Sequence, residues 1–188
     1  PSNWAKSHNI KKGDELDVDE IGRDLKISKN SSINFKKKEI YVGNLRRVGK
    51  SSITSAYRAG YDEIIIHFKD PLFIKEIIRL VQDELTGFEV ITQENNSCTI
   101  RDLTGNEKNE FDSAFNRLWF LVKDLSIESL QAIKSKNTIN LKNITILDKQ
   151  INKLSNYCLR ILLKKDHSDF KKTLEFYALV KVLEEIAD

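Results

Sequence analysis

A chain of 188 residues, 40% of them hydrophobic, is long enough to bury a core and holds one large domain or two to three small ones. Lys and Arg total 31 against 28 Asp and Glu, a net charge of +3, which excludes the global basic bias that alone would mark a nucleic-acid binder, so any basic surface must be local. No apolar run reaches the roughly 18 to 20 residues of a membrane span and no signal peptide opens the chain, so a cytoplasmic protein without membrane insertion is predicted.

Cys98 and Cys158 lie far apart, with no Cys-x-x-Cys spacing and no neighbouring histidine, and read as two reduced, buried thiols. The Asn-x-Ser/Thr triplets at Asn30, Asn95 and Asn143 carry no weight without a secretory signal. With no methionine and Pro1 at its start, the sequence reads as a piece of a longer product.

In chain order, a short helical turn follows Pro1 and a turn falls at Gly13-Asp14. Two short strands, Glu15–Asp19 and Asp24–Ile27, then form a hairpin around Ile21-Gly22-Arg23. Two strands alone bury too little to be stable, so this segment needs a partner. The run PSNWAKSHNIKKGDELDV resembles the AbrB/SpoVT/MazE swapped-hairpin domain: a proline, a short basic helix, then Gly-Asp and a strand. The resemblance implies an interlocked homodimer that grips DNA, with the opening strand of the pattern missing ahead of Pro1. Lys6 falls on one of the family's paired basic positions and Ala5 on the other; Lys11 and Lys12 would add phosphate contacts, which position a protein on DNA without reading its sequence. Equally, these lysines can simply solvate a turn. The polar stretch Ser28–Lys38 reads as a linker, closing a first segment at residues 1–38.

Residues 39–104 read as a small α/β sandwich of order β-α-β-α-β-β. Its parts are a strand at Glu39–Val42, a helix from Arg46 to Ala59 ending at Gly60, a strand at Tyr61–Phe68, and a helix opened by Pro71 and closed by Gly87. Two strands around Asn95-Asn96 complete it. The Ile64-Ile65-Ile66 run predicts burial on both faces of its strand. Gly43 to Ser51 sits where a phosphate-binding loop would, between strand and helix, but places five residues rather than four between its first glycine and Gly49-Lys50-Ser51. No magnesium-binding acid follows, so a nucleotide-hydrolysing enzyme is not expected. His67, with no second ligand near it, reads as a structural histidine.

After Gly105, three periodic helices fill residues 105–188 and predict an antiparallel bundle. Their stripes are Phe111, Phe115, Leu118, Val122 and Leu125, with Trp119 beside them; Ile144, Leu147, Ile151, Leu154, Cys158 and Ile161; and Phe170, Leu174, Tyr177, Val180 or Lys181, and Leu183, with Asp169 as the cap of the third. On the last helix Glu184 and Asp188 stand four residues apart and share a face, where two carboxylates either meet a hard cation or sit in water.

The bundle is similar to half of a PhoU-type protein, and FYALVKVLEEIAD resembles that family's helix carrying a Glu/Asp-x-x-x-Asp metal motif. Glu184 and Asp188 match the two acids, Ala187 replaces the common glycine, and Asp148 on the second helix is a weaker third acid. The resemblance implies iron, zinc or another divalent cation, of which an acidic pair supplies only part of the shell. The whole order resembles archaeal phosphate-uptake regulators, with a second helical repeat expected beyond Asp188. It implies a non-enzymatic α+β regulator with no catalytic residues. Such a protein would bind DNA through its dimeric module and sense metal or partners through its helices. The alternative it leaves open is an adaptor without DNA function, contacting a phosphate transporter or sensor kinase.

Overall fold

The computed structural model describes residues 2–21, 24–29, 35–43, 46–104, 110–135, 140–164 and 170–188. Gly22-Arg23, Gly105 and Asp169, expected at a hairpin turn, a chain break and a helix cap, lie outside the described residues. The protein is mixed α+β and divides into two compact units, Pro1–Phe35 and Lys36–Asp188.

In the first unit α1 (Ser2–Ser7) leads through a turn to the antiparallel hairpin of β1 (Leu16–Ile21) and β2 (Asp24–Lys29). The turn is fixed locally: Gly13 takes a φ of 99°, open only to glycine at low cost, and the Asp14 carboxylate accepts the Lys11 backbone N–H at 2.8 Å. The register pairs Val18 with Ile27 and Glu20 with Leu25, which puts Leu16, Val18, Leu25 and Ile27 on one face. All four are exposed within the unit.

The second unit opens with the expected β-α-β-α-β-β order: β3 (Lys37–Val42), α2 (Arg46–Arg58), β4 (Glu63–Phe68), α3 (Phe73–Glu84), β5 (Phe88–Gln93) and β6 (Ser97–Asp102). The strands form one mixed sheet in the order β3-β4-β6-β5, with β3 parallel to β4 and the other neighbours antiparallel. The strand begins at Lys37, inside the stretch expected to be linker, because β4 recruits it. The Lys36 carbonyl accepts the backbone N–H groups of Asp62 and Glu63, and Lys37 Nζ pairs with Glu63 at 3.0 Å. Pro71 likewise precedes its helix rather than opening it. Asp70 holds that turn, its carboxylate accepting the Leu72 N–H at 2.9 Å.

Helices α2 and α3 cover one sheet face, burying Ile40, Ile64, Ile66, Phe68, Cys98 and Ile100 beneath Ile53, Tyr57, Phe73 and Ile77. Ile65 is only half-buried, on the opposite face beside Lys37, Glu39, Tyr41 and His67, so the isoleucine run is not buried on both sides. Gly49 sits where α2 crosses β3. A methyl group there would meet Val42 Cγ1 at 2.5 Å and Phe73 Cζ at 3.2 Å, which explains a glycine inside a helix. Gly60 closes α2 at a φ of 80°, with its own N–H on the Tyr57 carbonyl and the Tyr61 N–H on the Ala56 carbonyl.

The three helices α4 (Phe111–Ser135), α5 (Asn140–Lys164) and α6 (Phe170–Ala187) surround a second core of Leu118, Leu121, Val122, Leu125, Ile151, Cys158, Leu159, Val180 and Leu183. Tyr157, late in α5, reaches Glu110 at the start of α4, and Phe176 packs on Phe111 and Phe115, so successive helices run in alternating directions. In α6 the expected stripe is met at Val180 and Leu183 but not at its start. Thr173, Val180 and Leu183 are buried while Phe170 and Leu174 are exposed, because apolar residues surround this helix and no single row of them dictates which face turns inward. Trp119 on α4 is exposed as well.

A polar joint binds the two cores together. α5 meets the ends of α2 and α3 with its row Lys153, Asn156 and Arg160, which donate to carbonyls there, and Lys164, which pairs with carboxylates. Lys153 Nζ donates to the Gln82 carbonyl at 2.7 Å, Asn156 Nδ2 to the Glu84 carbonyl at 3.3 Å, and Arg160 to the Tyr57 and Tyr61 carbonyls at 2.7 and 2.8 Å. Arg160 is buried against the pair of rings of Tyr57 and Phe88, which meet edge to face at 5.1 Å, and lies 4.9 and 4.8 Å from their centroids. It donates to Asp102 at 2.8 Å, while Lys164 bridges Asp62 at 2.6 Å and Asp102 at 3.2 Å. Two cations thus face two carboxylates, and the remaining carboxylate oxygens accept from Thr104 and the Lys36 N–H.

Candidate functional site

The acidic end of the helical layer is built by the last turns of α6 against the start of α5. Glu184 and Asp188 share a face, and the helical spacing persists to the end, with the Asp188 N–H donating to the Glu184 carbonyl at 3.1 Å. Asp148 faces them from α5. Burial, and then the negative charges of Asp188 and Glu184, push its carboxyl above the ordinary aspartate value, which places three carboxylates within electrostatic reach of one another. Asn152 Nδ2 lies 3.4 Å from Asp148 Oδ1.

The charge of this end is partly met from within α6, where the Lys181 ammonium bonds Glu184. Among the described residues no group of three or more His, Cys, Asp or Glu side chains converges as a metal ion requires. The acids as placed do not form a complete coordination shell, and a cation approaching Glu184 would compete with Lys181.

The lysines predicted to contact DNA are exposed in the N-terminal unit, Lys6 in the last turn of α1 and Lys11 and Lys12 in the turn after it. The phosphate-loop lookalike has a different structure. α2 begins at Arg46, so Gly49, Lys50 and Ser51 lie inside the helix, and Lys50 pairs with Glu76 at 2.8 Å. His67 stacks on Tyr41 with ring centroids 4.6 Å apart and lies 3.7 Å from Glu39. Both cysteines are buried free thiols, and burial pushes each up to about 12, far from the thiolate a nucleophile or metal ligand requires. Among the described residues no helix is long and apolar enough to cross a membrane.

The helical layer carries a further feature that its sequence periodicity concealed. The outer face of α4 exposes Trp119, Phe120 and Leu130, and two flanks of α6 expose Phe170 with Leu174 and Val182 with Ile186. The signal was present in the even spread of apolar residues around α6, but reading a single stripe assigned Phe170 and Leu174 to the core and left Val182 and Ile186 unread. Compared with protein-family models, curated proteins and solved structures, the chain matches none, so the site is interpreted from its own residues.

Proposed function

We propose that this chain is a regulator of phosphate uptake that works by binding other macromolecules rather than by catalysis. Its helical layer contacts the uptake or signalling machinery, and its N-terminal unit serves as dimerisation module and DNA contact. The observation that carries the reading is α6, apolar on nearly all sides yet buried on one. A helix of that kind requires neighbours on more than one side, and the outer face of α4 makes the same demand. The uncovered hairpin face of Leu16, Val18, Leu25 and Ile27 supports pairing through the N-terminal unit, since an isolated two-stranded hairpin is marginal in water. A divalent cation such as iron or zinc at Glu184 and Asp188 would release Lys181, and so alter the last turns of α6 beside its exposed flank.

In cells with the native uptake system, full-length protein carrying Leu174→Glu and Val182→Glu should leave phosphate uptake unresponsive to external phosphate. Both positions are exposed, so the melting temperature should hold. Unchanged control of uptake by this variant would refute the contact surface.

The exposed Lys6, Lys11 and Lys12 favour DNA contact as the second activity. Titrated against duplex DNA over a range of salt, the full-length protein should show a linear fall of log affinity with log salt, and removing each lysine should shallow that slope by about 1. No binding even at low salt would leave the adaptor as the whole function.

A further inference from the structure

We propose that the outer edge of β3, together with the groove between it and α2, is a docking site for an extended acidic segment of a partner protein, which adds to the sheet as a further strand. β3 is a terminal strand of its sheet, and among the described residues no strand pairs with its outer side. Backbone groups of a strand alternate in direction. Because the Lys36 carbonyl points to β4, where Asp62 and Glu63 donate to it, the N–H and C=O groups of Glu39 and Tyr41 point outward. Such a row is a template for strand addition.

Beside this edge lies an open groove of about 680 Å³. Its α2 wall is made of small residues, including Ser52 and Ser55, with Val48 at one end and Ile40 on the strand side. Among the described residues, the small side chains of α2 therefore leave room for a new strand against β3. α2 returns antiparallel to β3, which sets Arg47 at one end of the groove and Lys38 at the other. Lys38 shares the groove face with Ile40, and its ammonium lies over the Tyr61 ring, 5.8 Å from the centroid. Glu39 also lines the groove, but by strand alternation its carboxylate lies on the opposite sheet face, where it accepts from the Tyr41 hydroxyl, which leaves Lys38 and Arg47 as the charged side chains at the two ends of the groove. The length of β3 fits an incoming strand of about six residues. The favoured ligand presents small apolar side chains to the groove floor and an acidic side chain toward each end. This inference is independent of the regulatory reading above.

The probe is a fluorescein-labelled peptide of alternating valine and threonine with a glutamate at each end, titrated by anisotropy into the full chain. Its controls are the same peptide with lysine ends and one N-methylated at alternate residues. Glu39→Pro removes an outward N–H without touching the β4 ladder, and Ser55→Trp fills the groove from an exposed helix position. The acidic peptide should bind, each variant should weaken it at least about tenfold at unchanged melting temperature, and the N-methylated peptide should not bind. Lys38→Glu with Arg47→Glu should reverse the preference toward lysine ends. Equal binding by Glu39→Pro and wild type, or no binding of the acidic peptide at millimolar concentration, overturns the proposal. So does an amide of Glu39 already protected from exchange in the free protein, which would assign the edge to another part of this chain.

Discussion

Arg160→Leu is expected to destabilise the second unit by about 3 to 5 kcal/mol, the usual result of removing one partner from a buried ionic group. The substitution leaves Lys164 as the one cation facing Asp62 and Asp102, removes the Arg160 donors from the Tyr57 and Tyr61 carbonyls, and takes away the cation packed against Tyr57 and Phe88. The measurement is urea unfolding, with a lowered midpoint at unchanged slope. Adding Asp102→Leu should cost less than the sum of the two single changes, because the second removes a charge that the first left unpaired.

Acid adds a sign to the same test. Burial opposes ionisation of Asp102, but hydrogen bonds from Thr104 and Arg160 outweigh it and hold the carboxyl below its ordinary value. A depressed carboxyl contributes stability that is complete above the unfolded-state value and lost as pH falls through the folded one. Glu63, buried but held down by Lys37 and Arg101, acts in the same direction. Wild-type protein should therefore weaken as pH drops below the ordinary carboxylate range. In Arg160→Leu, burial of Asp102 is opposed by Thr104 and Lys164 without Arg160, its carboxyl rises, and its share of the acid-dependent loss should shrink. A pH series of unfolding curves on both proteins reads the smaller dependence.

Leu118→Ala is expected to cost about 3 to 5 kcal/mol, the range for truncating a leucine in a core that cannot collapse around the void. Leu118 is fully buried among α4, α5 and α6, with Ile151, Cys158 and Val180 in the same core. The joint around Arg160 makes the consequence larger than local. α5 belongs to the helical core and holds the α/β half through Arg160, so the tryptophan signal of α4 and the sheet signal in circular dichroism should fall in one transition. Separate transitions would show that the joint does not couple the two layers.

Most of the element order was legible in the chain, because each element announced itself locally. The 3.6-residue rows of α3, α4 and α5, the glycines at 60 and 87, and the alternation of β5 and β6 act over a few residues and need no partner. The errors fell where distant groups decide. Lys37 joins β3 only because β4 lies beside it, and the inward face of α6 was chosen by α4 and α5 from a helix whose own residues express no preference.

For the candidate site, the sequence by itself put Glu184 and Asp188 on one helical face, since helical periodicity dictates that much. The Lys181–Glu184 pair, three residues apart on α6, follows from the same periodicity, but only the tertiary structure brought Asp148 to the two acids, and only it buried Arg160 against Tyr57 and Phe88 with Asp62 and Asp102. Asp62 and Asp102 lie in the α/β half and Arg160 in the helical half, so no local pattern links them. Charges so far apart in sequence are paired by the packing of whole layers, because leaving any one of them buried alone would cost more than the layer contact returns.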